Sequence, residues 1–209
     1  AMPPRDKATS PARKTRPVKG SNITWREPIL WELEKAERLF VLGIGNRRKG
    51  DDAVGSLSVR LLKREIVQRE RRADVRSAGT ARPRGAKRKA SPFELQVLDG
   101  GETPESVTGL VREFRPTHVL IVDAAVGGHQ PGTIFVIDKD KIRQDDISTH
   151  RLPLCHLVRY LEETISCRVI LVGIEPKEVA WGKLVSAAVR AAAARLSAWL
   201  AEILMARRA

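Results

Sequence analysis

Two carboxylates and one imidazole stand where they could share a metal ion: Asp52, Asp123 and His150. Imidazole suits nickel and zinc, carboxylates complete a shell, and three protein ligands leave positions open for a substrate. Asp123 ends an apolar run, where an unpaired carboxylate would be costly to bury, so a strand-end role or a site is required. Asp52 has no capping duty. Its neighbour Asp51 reads instead as the N-cap of a helix. His118 opens a strand and reads as packed or solvent-facing, and His129 in a glycine-rich turn reads as exposed. His156, six residues beyond His150, falls on a different helical face. Cys155 reads as a small buried hydrophobe, and Glu175 as an acid that caps a loop.

These residues need a frame that brings them together. The run LFVLGI at 39–44 is continuously apolar, as a buried parallel strand is. Val54, Leu57, Leu61, Leu62 and Ile66 recur at helical spacing, which predicts a helix of about four turns from near Asp52. The stretch 25–35 is a short amphipathic lead-in. Further strands are expected at 94–99, 118–123, 133–138 and 168–174, and a helix at 104–114. His150 stands just ahead of a helix with Pro153 in its first turn and Leu154, Leu157, Val158 and Leu161 as its stripe. Ser186 caps a last helix whose buried positions include Val189, Leu196, Leu200 and Ile203. Strands alternating with helices imply an α/β sandwich with a mostly parallel sheet. The 133–138 strand follows its predecessor too closely for a helical crossover, so it is expected antiparallel and at an edge. In such sheets ligands gather at the carboxyl ends of the strands, where Asp52, Asp123 and His150 would converge.

Two phosphate-binding readings fail. Gly43-Ile44-Gly45 opens like a dinucleotide fingerprint, but Arg48 stands where the third glycine belongs, and no Gly-Lys-Ser/Thr occurs. The Gly-X-Gly-Asn turn instead lets the chain leave the strand sharply while Asn46 bonds backbone groups nearby.

The chain has 209 residues and a net charge of +13. Residues 1–20 contribute +5 and residues 69–90 contribute +7, so 12 of the 13 charges belong to two segments. The expected organisation is a basic disordered tail over 1–21 and a single α/β domain over 22–209 carrying a basic insertion loop at 69–90. Neither basic segment holds an aromatic residue to stack on bases, so nucleic-acid binding is not favoured. No apolar run approaches the about 20 residues of a bilayer span, and the basic N-terminal segment does not resemble a secretory signal. Two cysteines, neither in a CxxC, fit a reducing cytoplasm.

Four blocks of sequence resemble the hydrogenase maturation endopeptidases: VLGIGNRRKGDDAVG at 41–55, LDGGETPES at 98–106, HVLIVDAAVGGHQPGTIFVID at 118–138, and ISTHRLPL at 147–154 followed by LVGIEP at 171–176. Their order and spacing agree over 38–204. The Asp-Gly-Gly-X-X-Pro-Glu block is most similar to the branch serving hydrogen-evolving, membrane-associated hydrogenases. The first block departs at Arg47-Arg48-Lys49, where apolar residues are common in relatives. The resemblance implies a three-layer α/β/α sandwich with a twisted five-stranded sheet. It also implies an endopeptidase that removes a C-terminal extension from a nickel–iron hydrogenase large-subunit precursor once nickel is inserted. Its metal-contacting residues would be Asp52, Asp123 and His150, with the nickel supplied by the precursor and the chain acting as a monomer. One carboxylate would serve as general base, and N–H groups of the Gly100-Gly101 or Gly127-Gly128 turns would meet the oxyanion. The rival readings are a metallohydrolase carrying its own divalent ion and a non-catalytic binder of nucleic acid or acidic membrane.

Overall fold

A computed structural model describes residues 25–78, 93–139 and 152–208. The 1–21 tail, most of the basic insertion and His150 lie outside the described residues. Five strands form one sheet: β1 (Arg38–Ile44), β2 (Glu94–Gly101), β3 (His118–Ala124), β4 (Ile134–Val136) and β5 (Arg168–Ile174). Their spatial order is β2-β1-β3-β5-β4. The pairs β1–β2, β1–β3 and β3–β5 are parallel, whereas β4 runs antiparallel to β5 at the edge. The edge position follows from the short link after β3, as expected.

The continuous apolar runs serve two cores at once. Leu39 and Val41 of β1, Leu120 and Val122 of β3, and Ile170 and Val172 of β5 face α2 (Val54–Ala78) and the last helix, α5 (Ala187–Arg208). Phe40, Leu42, Val119, Ile121, Val169 and Leu171 face α3 (Thr108–Phe114) and α4 (Leu152–Thr164). Alternate residues of a strand point to opposite faces, so a strand covered on both sides must be apolar throughout. The result is a three-layer α/β/α sandwich. The lead-in segment forms α1 (Arg26–Leu33), which buries Ile29 and Leu33.

The stripe of α4 is buried as expected at Leu154, Leu157, Val158 and Leu161. In α5, Val189, Leu196 and Leu200 are buried, but Ile203 is half-buried and Leu204 takes the inward position. The 104–114 helix begins as a 3-10 turn, Pro104–Val107, before α3. The largest departure is α2. It runs 25 residues to Ala78, so the segment from 69 to 78 is helical and not a loop. Its composition hid this. Arg, Glu and Ala are good helix formers, but few apolar residues remain there to mark a period. Arg69 pairs with Glu65 one turn back at 3.4 Å, donates to the Ala198 carbonyl of α5 at 3.2 Å, and is followed by Glu70, which meets Arg208 at 2.9 Å. Partners on α5 thus hold the helix at Arg69 and Glu70, where the loop was expected to begin.

Where α2 starts, backbone meets backbone. A Cβ on Gly43 would lie 2.2 Å from the Gly55 carbonyl oxygen, and one on Gly55 would lie 2.1 Å from that of Val122. Only glycine permits this approach. It lays the first turn of α2 against the ends of β1 and β3. Gly43→Ala should therefore cost about 3 kcal/mol, read as a lower urea midpoint at unchanged m-value. A wild-type midpoint would show that the helix can shift away from the strand.

Candidate active site

Chain leaving β1 turns at Gly45, where φ is +134° and a Cβ would collide with the Asp52 carbonyl oxygen at 1.8 Å. The next residue, Asn46, organises the loop in both directions. Its side-chain Oδ1 accepts the Arg48 N–H at 2.8 Å, a local turn bond of the kind its type predicts. Its Nδ2 donates to Glu102 at 2.7 Å. Its backbone N–H donates to Asp52 Oδ2 at 2.8 Å. Asp52 is half-buried in the 3-10 turn Gly50–Ala53, which packs against β3.

Asp123 follows Val122 at the carboxyl end of β3, and its Oδ1 accepts the Ala124 N–H at 2.8 Å. Gly55, three residues past Asp52, touches the Val122 carbonyl. Asp52 and Asp123 therefore occupy the same rim, above two adjacent strands. Among the described residues no three His, Cys, Asp or Glu side chains cluster to hold a metal ion. His150 lies outside them, two residues before α4 begins at Leu152.

Asp51 is not a helix cap. It is 1% exposed, and the position ahead of its turn is Lys49. Its carboxylate accepts the N–H groups of Lys177 at 2.7 Å, Glu178 at 3.0 Å and Ser186 at 2.6 Å, and the Ser186 hydroxyl at 3.0 Å. Asp51 thus binds the 177–186 loop, after β5, to the loop after β1. Ser186 keeps the capping position, since its carbonyl accepts the Arg190 N–H, but its hydroxyl serves Asp51 and not α5.

Glu175 holds the other glycine-rich turn. It is buried, and its Oε2 accepts the N–H groups of Gly127 at 2.7 Å and His129 at 3.1 Å. That is the loop-capping role its position suggested. It also removes the Gly127 N–H as an oxyanion donor. The Gly101 N–H is likewise taken, at 3.1 Å, by Asp99. His129 is exposed and packs edge-on to Phe135. His118 is buried near Glu32, and His156 is exposed. Cys155 is only half-buried. Burial pushes the Cys167 thiol up to about 11, and its Sγ donates to the Leu161 carbonyl, so it is no nucleophile at neutral pH.

Asp99 is the residue that sequence reasoning passed over. It lies near the end of β2, accepts the Ser56 hydroxyl at 2.6 Å and pairs with Arg47. Burial raises its pKa, but the hydrogen bonds from Ser56, Arg47 and the Gly101 N–H, with the Arg47 charge, outweigh that and hold it below the usual carboxylate value. An acid closing a strand was the available signal, the same one that marked Asp123. A cleft of about 500 Å³ opens here, lined by Asn46, Arg47, Arg48, Asp99, Glu102 and Trp181 among others.

Known proteins share this frame. The family model described as HycI, hydrogenase maturation protease, matches residues 84–203. A putative hydrogenase maturation protease of Methanocaldococcus jannaschii is 32% identical over 152 residues, 73% of this chain and 80% of that one. The chain belongs to the hydrogenase maturation protease family. This maturation protease is accordingly a peptidase. It is also 35% identical over 137 residues to the hydrogenase 3 maturation protease of Escherichia coli K12, covering 65% of this chain and 71% of the other. The crystal structure of a NiFe hydrogenase maturation protease, HycI, from Thermococcus kodakarensis KOD1 superposes with a TM-score of 0.66 at 28% identity, over 85% of this chain and 99% of that one. Among the described residues of the protease no helix is long and apolar enough to cross a membrane.

Two predictions concern the acids that build the rim. Asp51→Ala leaves three N–H groups of the 177–186 loop without their acceptor and should cost about 3 kcal/mol. Limited proteolysis should then cut first within 177–186, and cleavage elsewhere would refute the pinning. Asp99 has a depressed folded pKa, so its stabilisation is present at neutral pH and is lost as pH falls below the ordinary carboxylate range through the folded value. Asp99→Asn should therefore lower the thermal midpoint at pH 7 and flatten its decline between the neutral and acid ends. An unchanged profile would show that Asp99 contributes nothing.

Proposed function

We propose that this protease removes the C-terminal extension of a nickel–iron hydrogenase large-subunit precursor after nickel has been inserted, and that Asp52, Asp123 and His150 contact that metal. The observation that carries the reading is the placement of Asp52 and Asp123 at one rim, above adjacent strands held together by the Gly43–Gly55–Val122 approach. The donor set suits the task. Carboxylates and an imidazole accept nickel while leaving it positions for the precursor's own ligands. Asp52 arrives already oriented by the Asn46 N–H, and its Oδ1 has no hydrogen-bond partner among the described residues. It can donate an electron pair to a metal ion, or take a proton from an attacking water as general base. The similarity to the hydrogenase 3 maturation protease of Escherichia coli and to a NiFe hydrogenase maturation protease of Thermococcus kodakarensis supports maturation proteolysis.

The nickel belongs to the substrate, which separates this reading from a metallohydrolase with its own ion. Purified protease incubated with nickel-loaded and nickel-free precursor should cleave only the loaded form, and mass spectrometry should show a shortened C-terminus. Cleavage of both forms would end the claim of metal-gated recognition. His150→Ala should reduce processing at least about a hundredfold while leaving the thermal midpoint in place. A wild-type rate in that variant would remove His150 from the site. Metal analysis of the purified protease should find well under one nickel per chain.

A further inference from the structure

The loop between β1 and the 3-10 turn carries three successive cations, Arg47, Arg48 and Lys49. Two of them are compensated in place. Arg47 pairs with Asp99, and Lys49 lies 3.9 Å from Glu102. Arg48 is exposed, and among the described residues no carboxylate lies within ion-pair distance of its guanidinium. Its backbone is nonetheless fixed at both ends. The Arg48 N–H donates to Asn46 Oδ1 at 2.8 Å, and the Arg48 carbonyl accepts the Gly182 N–H at 2.8 Å.

That second bond joins Arg48 to the 177–186 loop, which Asp51 pins from beneath. Next to Gly182 stands Trp181, 64% exposed although it is the largest side chain on the loop. Lys49 Nζ sits 4.8 Å from the centroid of its ring. Arg48 and Trp181 line the same cleft of about 500 Å³, together with Asn46. Asn46 is also the residue whose N–H orients Asp52. The cleft therefore opens directly beside the rim acid.

A guanidinium with no carboxylate partner among the described residues and an exposed indole, both on braced backbone, form a recognition pair. Arginine grips a carboxylate through two parallel N–H bonds. An indole supplies rigid apolar area at small entropic cost. A polyanion is disfavoured, because Asp99 and Glu102 already engage Arg47 and Lys49, which leaves one cation of the loop to meet an incoming anion. A single carboxylate beside an apolar side chain matches Arg48 and Trp181 together.

We propose that Arg48 and Trp181 form a subsite for the precursor segment flanking the cleaved bond, with a carboxylate of that segment on Arg48 and an apolar side chain on Trp181. The assignment of a precursor as the ligand rests on the function proposed above. The carboxylate can come from an acidic side chain or from the free C-terminus of the extension.

Binding of the full chain to a fluorescently labelled, nickel-loaded large-subunit precursor tests this by anisotropy. Arg48→Glu should weaken binding about tenfold, Arg48→Gln less, and Trp181→Ala about fivefold. Lys63→Glu, the same charge change at an exposed position of α2, should leave the dissociation constant unchanged. Arg48→Gln keeps the backbone bonds, so it decides the matter if the charge reversal or the Trp181 variant misfolds. Replacing the acids near the cleaved bond by amides should erase the Arg48 effect if a side chain is the ligand. Extending the precursor by a Gly-Ser tail should erase it if the terminus is. A loss that persists against both altered precursors would overturn the carboxylate assignment. Equal affinity of wild type, Arg48→Gln and Arg48→Glu would overturn the subsite. The functional reading would survive that result if cleavage still required nickel. Conversely, binding that depends on Arg48 with cleavage indifferent to nickel would overturn the functional reading and leave the subsite standing.

Discussion

The start of α2 lies so close to the sheet that no side chain can stand between them. Gly43 and Gly55 face each other across this contact, and the carbonyl oxygens of Ile44 and Val122 fill the space a Cβ on Gly55 would need. Close-packed interiors tolerate little displacement, so the contact sets where the first turn of α2 sits relative to β1 and β3. Everything at the rim inherits that position. Asp52 lies three residues before Gly55, and Asp123 one residue after Val122. A helix set even one side chain further from the sheet would carry Asp52 away from Asp123.

Neighbouring acids in this turn have opposite duties. Asp51 points inward and spends its carboxylate on four donors of the 177–186 loop. Asp52 points toward the rim and holds a single hydrogen bond from Asn46 among the described residues. The division follows from the tight turn, which sends consecutive side chains in different directions. Structural polar groups buried in a protein are satisfied by hydrogen bonds. Asp52, with acceptor capacity to spare among the described residues, fits the metal-contacting role proposed above. Asp99 and Glu175 belong with Asp51, since each closes a loop through backbone N–H groups.

This bracing reaches the surface. The 177–186 segment has little regular structure, yet it is tied to the first loop through Asp51, through the Asp51 N–H to the Glu178 carbonyl at 3.1 Å and through Gly182 to Arg48. Exposed Trp181 is thus carried on fixed backbone in the lining of the cleft. Ordering a loop before its partner arrives removes an entropic cost from binding.

The strands, the antiparallel edge, the stripe of α4 and the acids at strand ends were legible in the sequence, because each depends on local pattern. Alternation, turn residues and a charge closing an apolar run are properties of a few adjacent residues. The full length of α2 was not legible, since its last turns are polar and the partners of Arg69 and Glu70, Ala198 and Arg208, lie more than a hundred residues away in the chain. Nor were the roles of Asp51 and Asp99, whose partners lie on other loops. Sequence alone marked Asp51 as a carboxylate suited to capping and Asp52 as one without that duty. Only the tertiary structure decided what Asp51 holds, because a hydrogen-bond acceptor finds its donors by position in space, and that position comes from packing the helix on the sheet.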